Sequence, residues 1–445
     1  MKRFLIIFIF FLACNLYPKT DDSILLKKSF EILNLLEQSQ WQLVYNYFDS
    51  TMKSVFPPDK IKETWETIGK QIGEIENNVD TTFSEFKSNR IVILTFKFKV
   101  MYADLRFVYN QQSELSGFFI APNYNYSDYQ IPAYADVNKF IETKYKFGKK
   151  GWELDAILTL PKKKKGEEFK NFPVVILVHG SGPNDMDETI GPNKPFKDLA
   201  CGLASKGIAV FRFNKRTQQH PEKILNLLQD FTIWEETIED VILAIEKLSN
   251  NPDIDPQQIY VLGHSLGGYL IPKISQTEKY VGGFVIMAGF VRPLEELIWE
   301  QFNYLFSLDD QISEEEKNKL DSLKQQIELV KSQNLTKEIP ANKLPLGVPA
   351  SYWLDLKGYN PLEIIKTTKT KFLVLQGEKD YQVSMKDFEL WKYGLKDNSL
   401  AKFKSYSSLN HLFMESEGKS SPAEYLKANH IPEYVIDDIV EFILK

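Results

Sequence analysis

Residues 260–270 read YVLGHSLGGYL, and they limit the fold more than any other stretch of the chain. A strand-like Tyr260-Val261-Leu262 runs straight into Gly263-His264-Ser265-Leu266-Gly267-Gly268. One glycine would serve a plain turn. A serine set between glycines where a buried strand gives way to a helix demands more. The backbone there must be so tight that side chains beyond hydrogen clash at 263 and 267, and such strain lifts the serine hydroxyl clear of a sheet.

The flanking sequence supplies that sheet. WELDAILTL, FPVVILVHG, IAVFRFN, QIYVLG, YVGGFVIMAG and KTKFLVLQG read as strands, most of them apolar throughout, as buried parallel strands are. PFKDLACGLASKG, IWEETIEDVILAIEKLSN and the closing EYVIDDIVEFILK read as helices between and after them. Strand–helix alternation over residues 136–445 predicts an α/β fold with a doubly wound, mostly parallel sheet. Residues 292–350 break the alternation with a strongly helical insertion. It is longer than a crossover needs and is placed here as a helical cap over the ligand-binding edge. PKKKKGEEFKNF reads as a solvated turn.

Residues 21–121 have a different pattern. Leu26, Phe30, Leu33 and Leu36 recur at helical spacing, a second helix is expected at 59–69, and RIVILTFKFKVMYADLRFVYN reads as paired strands. This predicts a small α+β domain for packing or recognition, with no catalytic cluster. Residues 122–135, rich in Tyr, Asn and Pro, read as a linker whose tyrosines face solvent.

Composition removes several alternatives. At 445 residues two domains are the expectation, and 43% hydrophobic with 26% charged residues is a globular balance. A net charge of −6 argues against nucleic acid as a main partner. Cys14 and Cys201 are the only cysteines, which rules out a disulfide framework or a CxxC metal site, and neither HExxH nor a phosphate loop is present. Cys201 reads as a small buried hydrophobe. Lys2 and Arg3 precede an apolar run from Phe4 to Ala13, too short to span a bilayer and suited to a secretory signal over residues 1–20. Ala13-Cys14 resembles a lipobox, although Phe11 stands where leucine is usual. The expectation is export to the cell envelope, with membrane contact only through lipid on Cys14.

A serine hydroxyl is a poor nucleophile without a base, and the base needs a carboxylate to orient it. Five histidines allow elimination. His179 sits in a glycine turn, His264 is too constrained beside Ser265 to face it, and His220 lies in a polar loop. Of His411 and His430, His411 follows a strand-like segment, where the last member falls in the order Ser, acid, His. The acid is Asp380 in FLVLQGEKDYQV, at the tip of a strand exit. Glu378 is the nearest rival, Asp355 a weak one, and Asp387 and Glu389 read as solvated helix charges. Two backbone N–H groups should hold a developing oxyanion: Leu266, after the serine, and Ser181, in the HGSGP loop.

Four signals in order, HGSG, GHSLG, strand-Gly-x-x-Asp and a late His, make a strong conjunction. Together with HGSGPNDMDETIGPNKPFKDLACGLASKGIAVFRFNKRT and YWLDLKGYNP, they resemble the α/β-hydrolase superfamily. Within it they look like the EstD-type bacterial carboxylesterases, near the dienelactone-hydrolase and serine-aminopeptidase branches. The region ahead resembles a small domain of unknown function found before such hydrolases. The resemblance implies Ser265, Asp380 and His411 as the triad, Ser181 and Leu266 as oxyanion donors, a small-molecule ester as substrate, and neither metal nor cofactor. Asn214 departs from it, since related sequences tend to carry Asp there, and the position reads as structural. An aminopeptidase stays open, with Asp185, Asp187 or Glu188 of the NDMDE loop as amine anchor, although these acids read first as solvated loop charges; thioesterase or acyltransfer chemistry and an inert binding protein stay open too. The cap side chains Trp299, Phe302, Tyr304, Leu305, Phe306, Leu344, Leu346, Tyr352 and Trp353 are expected mostly to pack the cap, with an acyl pocket as the alternative.

Overall fold

A computed structural model describes residues 21–124, 126–163, 171–227, 229–277, 281–309 and 311–445. The expected signal with Cys14 lies outside them, as does most of the lysine-rich turn. The chain forms two units, Met1–Ser127 and Asp128–Lys445.

In the first unit, helices Asp22–Glu37, Trp41–Asn46, Ser50–Val55 and Pro58–Ile72 precede an antiparallel meander of β1 (Ile75–Phe86), β2 (Asn89–Phe98), β3 (Tyr102–Tyr109) and β4 (Leu115–Pro122). The expected α+β class is right, but the inward stripe of the first helix is shifted. Leu25, Ile32, Leu33 and Leu36 are buried, whereas Phe30 is exposed and meets Phe96 edge-on. The first helix stops at Glu37 and is followed by two short ones.

The linker expectation needs correction too. Residues 128–135 belong to the second unit. Tyr129 donates to Asp198 Oδ1 at 2.5 Å and Tyr134 to the Ile431 carbonyl at 2.7 Å, so these tyrosines are packed rather than solvated. Tyr126, on the other side of the boundary, donates to Asp80.

The second unit is built on β5 (Phe140–Phe147), β6 (Leu154–Pro161), β7 (Phe172–Val178), β8 (Ala209–Phe213), β9 (Ile254–His264), β10 (Gly283–Met287), β11 (Phe372–Gly377) and β12 (Ala401–Tyr406). Their order is β12-β11-β10-β9-β7-β8-β6-β5, parallel from β12 to β8 and antiparallel at β6 and β5. Apolar side chains fill both faces of the central strands, as in Val174 to Val178 and Val261-Leu262, all at most 1% exposed. From β7 the chain moves outward to β8, and from β9 it moves the opposite way to β10. The β7 and β9 exits therefore flank the point where the winding reverses, which is where such sheets bind ligands.

Between β10 and β11 runs the insertion, with helices Leu294–Phe306, Glu314–Lys331 and Ala350–Leu356. It has its own apolar cluster, including Ile298, Leu323, Ile327, Leu344 and Trp353. Its root is pinned by Arg292, which donates to Asp387 through Nη2 at 2.6 Å. The same carboxylate accepts the Val291 N–H at 2.9 Å. Asp387 is thus fully buried, not a solvated helix charge; Glu389 is exposed and pairs with Lys392.

The elbow is as tight as its sequence requires. Ser265 has φ +53°. A Cβ on Gly263 would lie 2.3 Å from the Gly267 carbonyl oxygen, and one on Gly267 would lie 2.4 Å from that of Val178. Both obstacles are backbone, which cannot swing aside. Gly267→Ala is therefore expected to destabilise the second unit by at least about 1–3 kcal/mol, the usual cost of overpacking. Denaturant unfolding would measure it, and an unchanged midpoint would contradict the close approach.

Candidate active site

Four strand ends deliver the groups selected from the sequence. Ser265 directly follows β9, and its N–H donates to Met287 O at 3.0 Å, which holds the turn against β10. Ser181 is in the loop after β7. Leu266 begins the helix Leu266–Thr277, whose first N–H groups have no partner within the helix. Asp380 and His411 lie in the loops after β11 and β12. A Cβ on Gly377 would come within 2.3 Å of Leu409 O, and Lys379 N–H donates to that oxygen at 2.9 Å. The acid loop and the histidine loop are thus pressed together backbone to backbone.

Asp380 is buried and fully engaged. Oδ1 accepts the N–H groups of Gln382 and Val383 at 2.8 and 2.9 Å. Oδ2 accepts Gln376 Nε2 at 3.1 Å and faces His411 Nδ1 at 2.7 Å. This fixes His411 as the Nδ1–H tautomer and leaves Nε2 as its free base. Gly180, Ser181, Ser265 and His411 line one cavity of about 530 Å³. The Ser265 hydroxyl is not bonded to His411 in this arrangement, and such bonds commonly tighten only with substrate. The rivals are occupied elsewhere. Glu378 accepts from Ser405 at the surface, Asp355 pairs with Lys273, and His220 and His430 contact the Glu153 carbonyl and Asp198.

Known proteins resemble the chain in sequence. Residues 29–118 match a family described as a protein of unknown function (DUF3887), and residues 200–336 match the prolyl oligopeptidase family. Esterase EstD of Thermotoga maritima is 34% identical over 420 residues, 94% of this chain and 95% of that protein. The chain belongs to the EstD esterase family. Among solved structures, Est1E from Butyrivibrio proteoclasticus aligns at TM-score 0.42 with 14% identity, over 68% of this chain and 99% of its own. The Pyrococcus horikoshii acylaminoacyl peptidase aligns at 0.44 with 16% identity, over 84% of this chain and 51% of its own.

In this family member the acids of the NDMDE loop are engaged within the fold rather than solvated. Asp185 accepts from Thr189 N–H and Oγ1, both at 2.8 Å. Asp187 pairs with Arg212 and Lys194. Glu188, 2% exposed, accepts the Gly180 N–H through Oε1 at 2.7 Å. Its Oε2 lies 2.9 Å from His264 Nδ1, an ion-pair contact whose angle is poor for a hydrogen bond. His264 Nε2 meets the His411 carbonyl at 2.9 Å. The Asn214 side chain accepts the Met186 N–H and donates to Gln219, a structural role as expected. Cys201 is fully buried, and burial pushes its thiol up to about 11.

Sequence reasoning missed Lys215, Glu236 and Gln376. Lys215 sits just beyond β8, on the ligand edge, and that position was its one readable signal. Glu236 comes from a π-helical turn, Trp234–Ile238, which no sequence period marks. The cavity wall adds apolar Ile224, Phe231, Phe290, Leu294, Leu297 and Val348. Of the cap residues named from sequence, only Leu346 and Tyr352 face the cavity; Trp299, Phe302, Leu344 and Trp353 pack within the cap. Among the described residues no group of three or more His, Cys, Asp or Glu is placed to hold a metal ion.

Burial lowers the basicity of His264, but the Glu188 carboxylate outweighs it and holds the imidazole above its ordinary value. Burial works against the Glu188 carboxylate, and His264 more than compensates, leaving that pKa lowered. The raised His264 pKa contributes stability that is complete below the unfolded value of about 6.5 and is lost as pH rises through the folded value. Glu188 contributes above its unfolded value and loses that contribution as pH falls through its lowered one. Glu188→Gln is therefore expected to shift the alkaline fall in Tm to lower pH. Melting curves between about pH 5 and 9 test this, and an unmoved alkaline limb would count against the pair.

Proposed function

We propose that this EstD-family chain hydrolyses carboxylic esters through an acyl-enzyme, with Ser265 as nucleophile, His411 as base and Asp380 as its orienting acid. The observation that carries the roles is the Asp380–His411 contact of 2.7 Å beside a serine held at φ +53° on the same cavity. His411 Nε2 takes the Ser265 proton as the hydroxyl oxygen attacks the ester carbonyl. The carbonyl oxygen, now negative, is held by the N–H groups of Ser181 and Leu266. His411 then returns the proton to the leaving alcohol, the C–O bond breaks, and water repeats the sequence against the acyl-enzyme. Asp380 keeps the tautomer and stabilises the imidazolium without taking its proton.

Charge in the cavity favours a neutral ester over an aminoacyl substrate. An aminopeptidase needs a free carboxylate for the substrate amine. Both carboxylates on this cavity are already occupied: Glu188 by His264, and Glu236 by Lys215 at 2.6 Å and Tyr352 at 2.5 Å. The apolar wall suits an acyl or alcohol group without charge.

Ser265→Ala is expected to lower kcat by about 10⁴-fold or more, and Asp380→Asn by about 10⁴-fold, without loss of fold. The assay pairs a short p-nitrophenyl ester with an aminoacyl anilide. Near wild-type ester turnover by Ser265→Ala would remove the assignment. Preferred anilide cleavage would move it to a peptidase.

A further inference from the structure

The loop that carries Ser181 is held by a buried cation that the mechanism above does not use. Lys215, 2% exposed, donates from Nζ to the Gly180 carbonyl at 2.7 Å. Its other bond, to Glu236 Oε1, is 2.6 Å long. Glu236 Oε2 accepts the Tyr352 hydroxyl at 2.5 Å. The backbone is tied as well, with Lys215 N–H donating to Asn184 O at 3.0 Å. The ammonium therefore has little freedom to move: one side is fixed by Glu236, itself held by the cap's Tyr352, and another by the loop itself.

What Lys215 holds is half of a peptide unit. The carbonyl of Gly180 and the N–H of Ser181 belong to the same planar group, and among the described residues every peptide is trans. In a trans peptide these two bonds point in opposite directions. Drawing the carbonyl inward onto Lys215 therefore turns the Ser181 N–H outward, to the open side of the loop. There Ser181 is exposed and lines the cavity with Ser265, and its N–H is taken by no protein acceptor among the described residues. A cation on the carbonyl also polarises the peptide and strengthens the N–H as a donor. The preceding peptide is fixed separately by Glu188, which accepts the Gly180 N–H at 2.7 Å.

We propose that Lys215, seated by Glu236, is a positioning residue that aims the Ser181 N–H at the oxyanion. This rests on the esterase reading and on Ser181 as an oxyanion donor. A purely structural ion pair is the alternative, and the two differ in what they do to the transition state. A buried pair adds little net stability over an apolar replacement, but removing one partner strands the other charge. The test variant is therefore the double substitution Lys215→Met with Glu236→Gln, which strands no charge.

The expected result is a fall in kcat of about 10²-fold with KM within about threefold of wild type, the signature of a lost oxyanion donor. Inhibition by a trifluoromethyl ketone, which forms a charged tetrahedral adduct on the serine, should weaken in proportion. Binding of the matching alcohol product should not change. Wild-type kcat in the folded double variant would overturn the proposal, as would equal losses for adduct and alcohol. If the double variant does not fold, Lys215→Met with Glu236→Leu, an apolar replacement of the pair, takes its place and likewise leaves Gly180 O without the ammonium. Full kcat in that variant would overturn the proposal equally. Ser265→Ala, run in parallel, separates the two ideas. Without serine-dependent ester turnover the esterase reading falls and takes this proposal with it. With that turnover and an unaffected Lys215 variant, only this proposal falls.

Discussion

Gly267 meets the carbonyl of Val178 so closely that a single methyl would stand 2.4 Å from its oxygen. That contact presses the first turn of the helix after β9 onto the end of β7. The register sets Val178 opposite Gly263, so both strands run out at the same level and their loops leave side by side. Ser265 can then stand at φ +53°, with its Cβ beside Gly180 in the loop that follows β7. A side chain at 263 or 267 would part the two strand ends, and Ser265 and the loop of Ser181 would move apart together. The remaining groups are placed relative to this junction: β11 and β12 bring Asp380 and His411 to the same edge, and the insertion after β10 closes over it.

This explains which parts were readable in the sequence. Backbone constraints leave a mark at the residue that obeys them. Gly263, Gly267 and Gly377 each stand where another backbone leaves no room for a Cβ, and each lies within four residues of Ser265 or Asp380. His411, which the structure sets 2.7 Å from Asp380, could be chosen because chain order and a short roster of histidines left little choice. Contacts between distant side chains leave no such mark. Asp387 begins a helix, as many solvated acids do, and its partner Arg292 lies 95 residues away. The NDMDE loop looked like a polar turn because Arg212 and His264, which neutralise Asp187 and Glu188, arrive from other strands. β1, as IENNVDTTFSEF, was overlooked because it buries no residue fully and has no alternation of apolar side chains to read. At the edge of the other sheet, β5 buries only Phe140 and Phe147.

The buried charges are informative because they add so little stability. Exchanging a buried ion pair for apolar side chains is often neutral or favourable, so the placement of such pairs points to what they hold rather than how firmly the whole stands. Here they gather at the strand exits. Arg292 with Asp387 fixes the root of the cap, Glu188 with His264 ties the Gly180 N–H to the loop of His411, and Lys215 with Glu236 grips the Gly180 carbonyl. Gly180 is thus held from both of its peptide units by groups of opposite charge. A loop with two glycines, Gly180 and Gly182, on either side of Ser181 would otherwise be among the softer parts of the edge.

The insertion divides the work of the site. Its helices pack around their own apolar cluster, so its stability does not depend on lining the cavity. Side chains it sends to the cavity, Leu294, Leu297, Val348 and Tyr352, make an apolar wall facing a polar floor supplied by the sheet loops. Leu346 belongs to that wall yet is 62% exposed and holds φ +57°, an unfavourable conformation for a leucine. Packing alone gives no reason to keep an exposed, strained leucine at a cavity rim, because glycine would remove the strain and asparagine would lessen it. The rim position of Leu346 beside Val348 and Tyr352 extends the apolar wall instead. The strand exits thus supply the polar groups of the cavity, while its apolar wall comes largely from a segment with a core of its own.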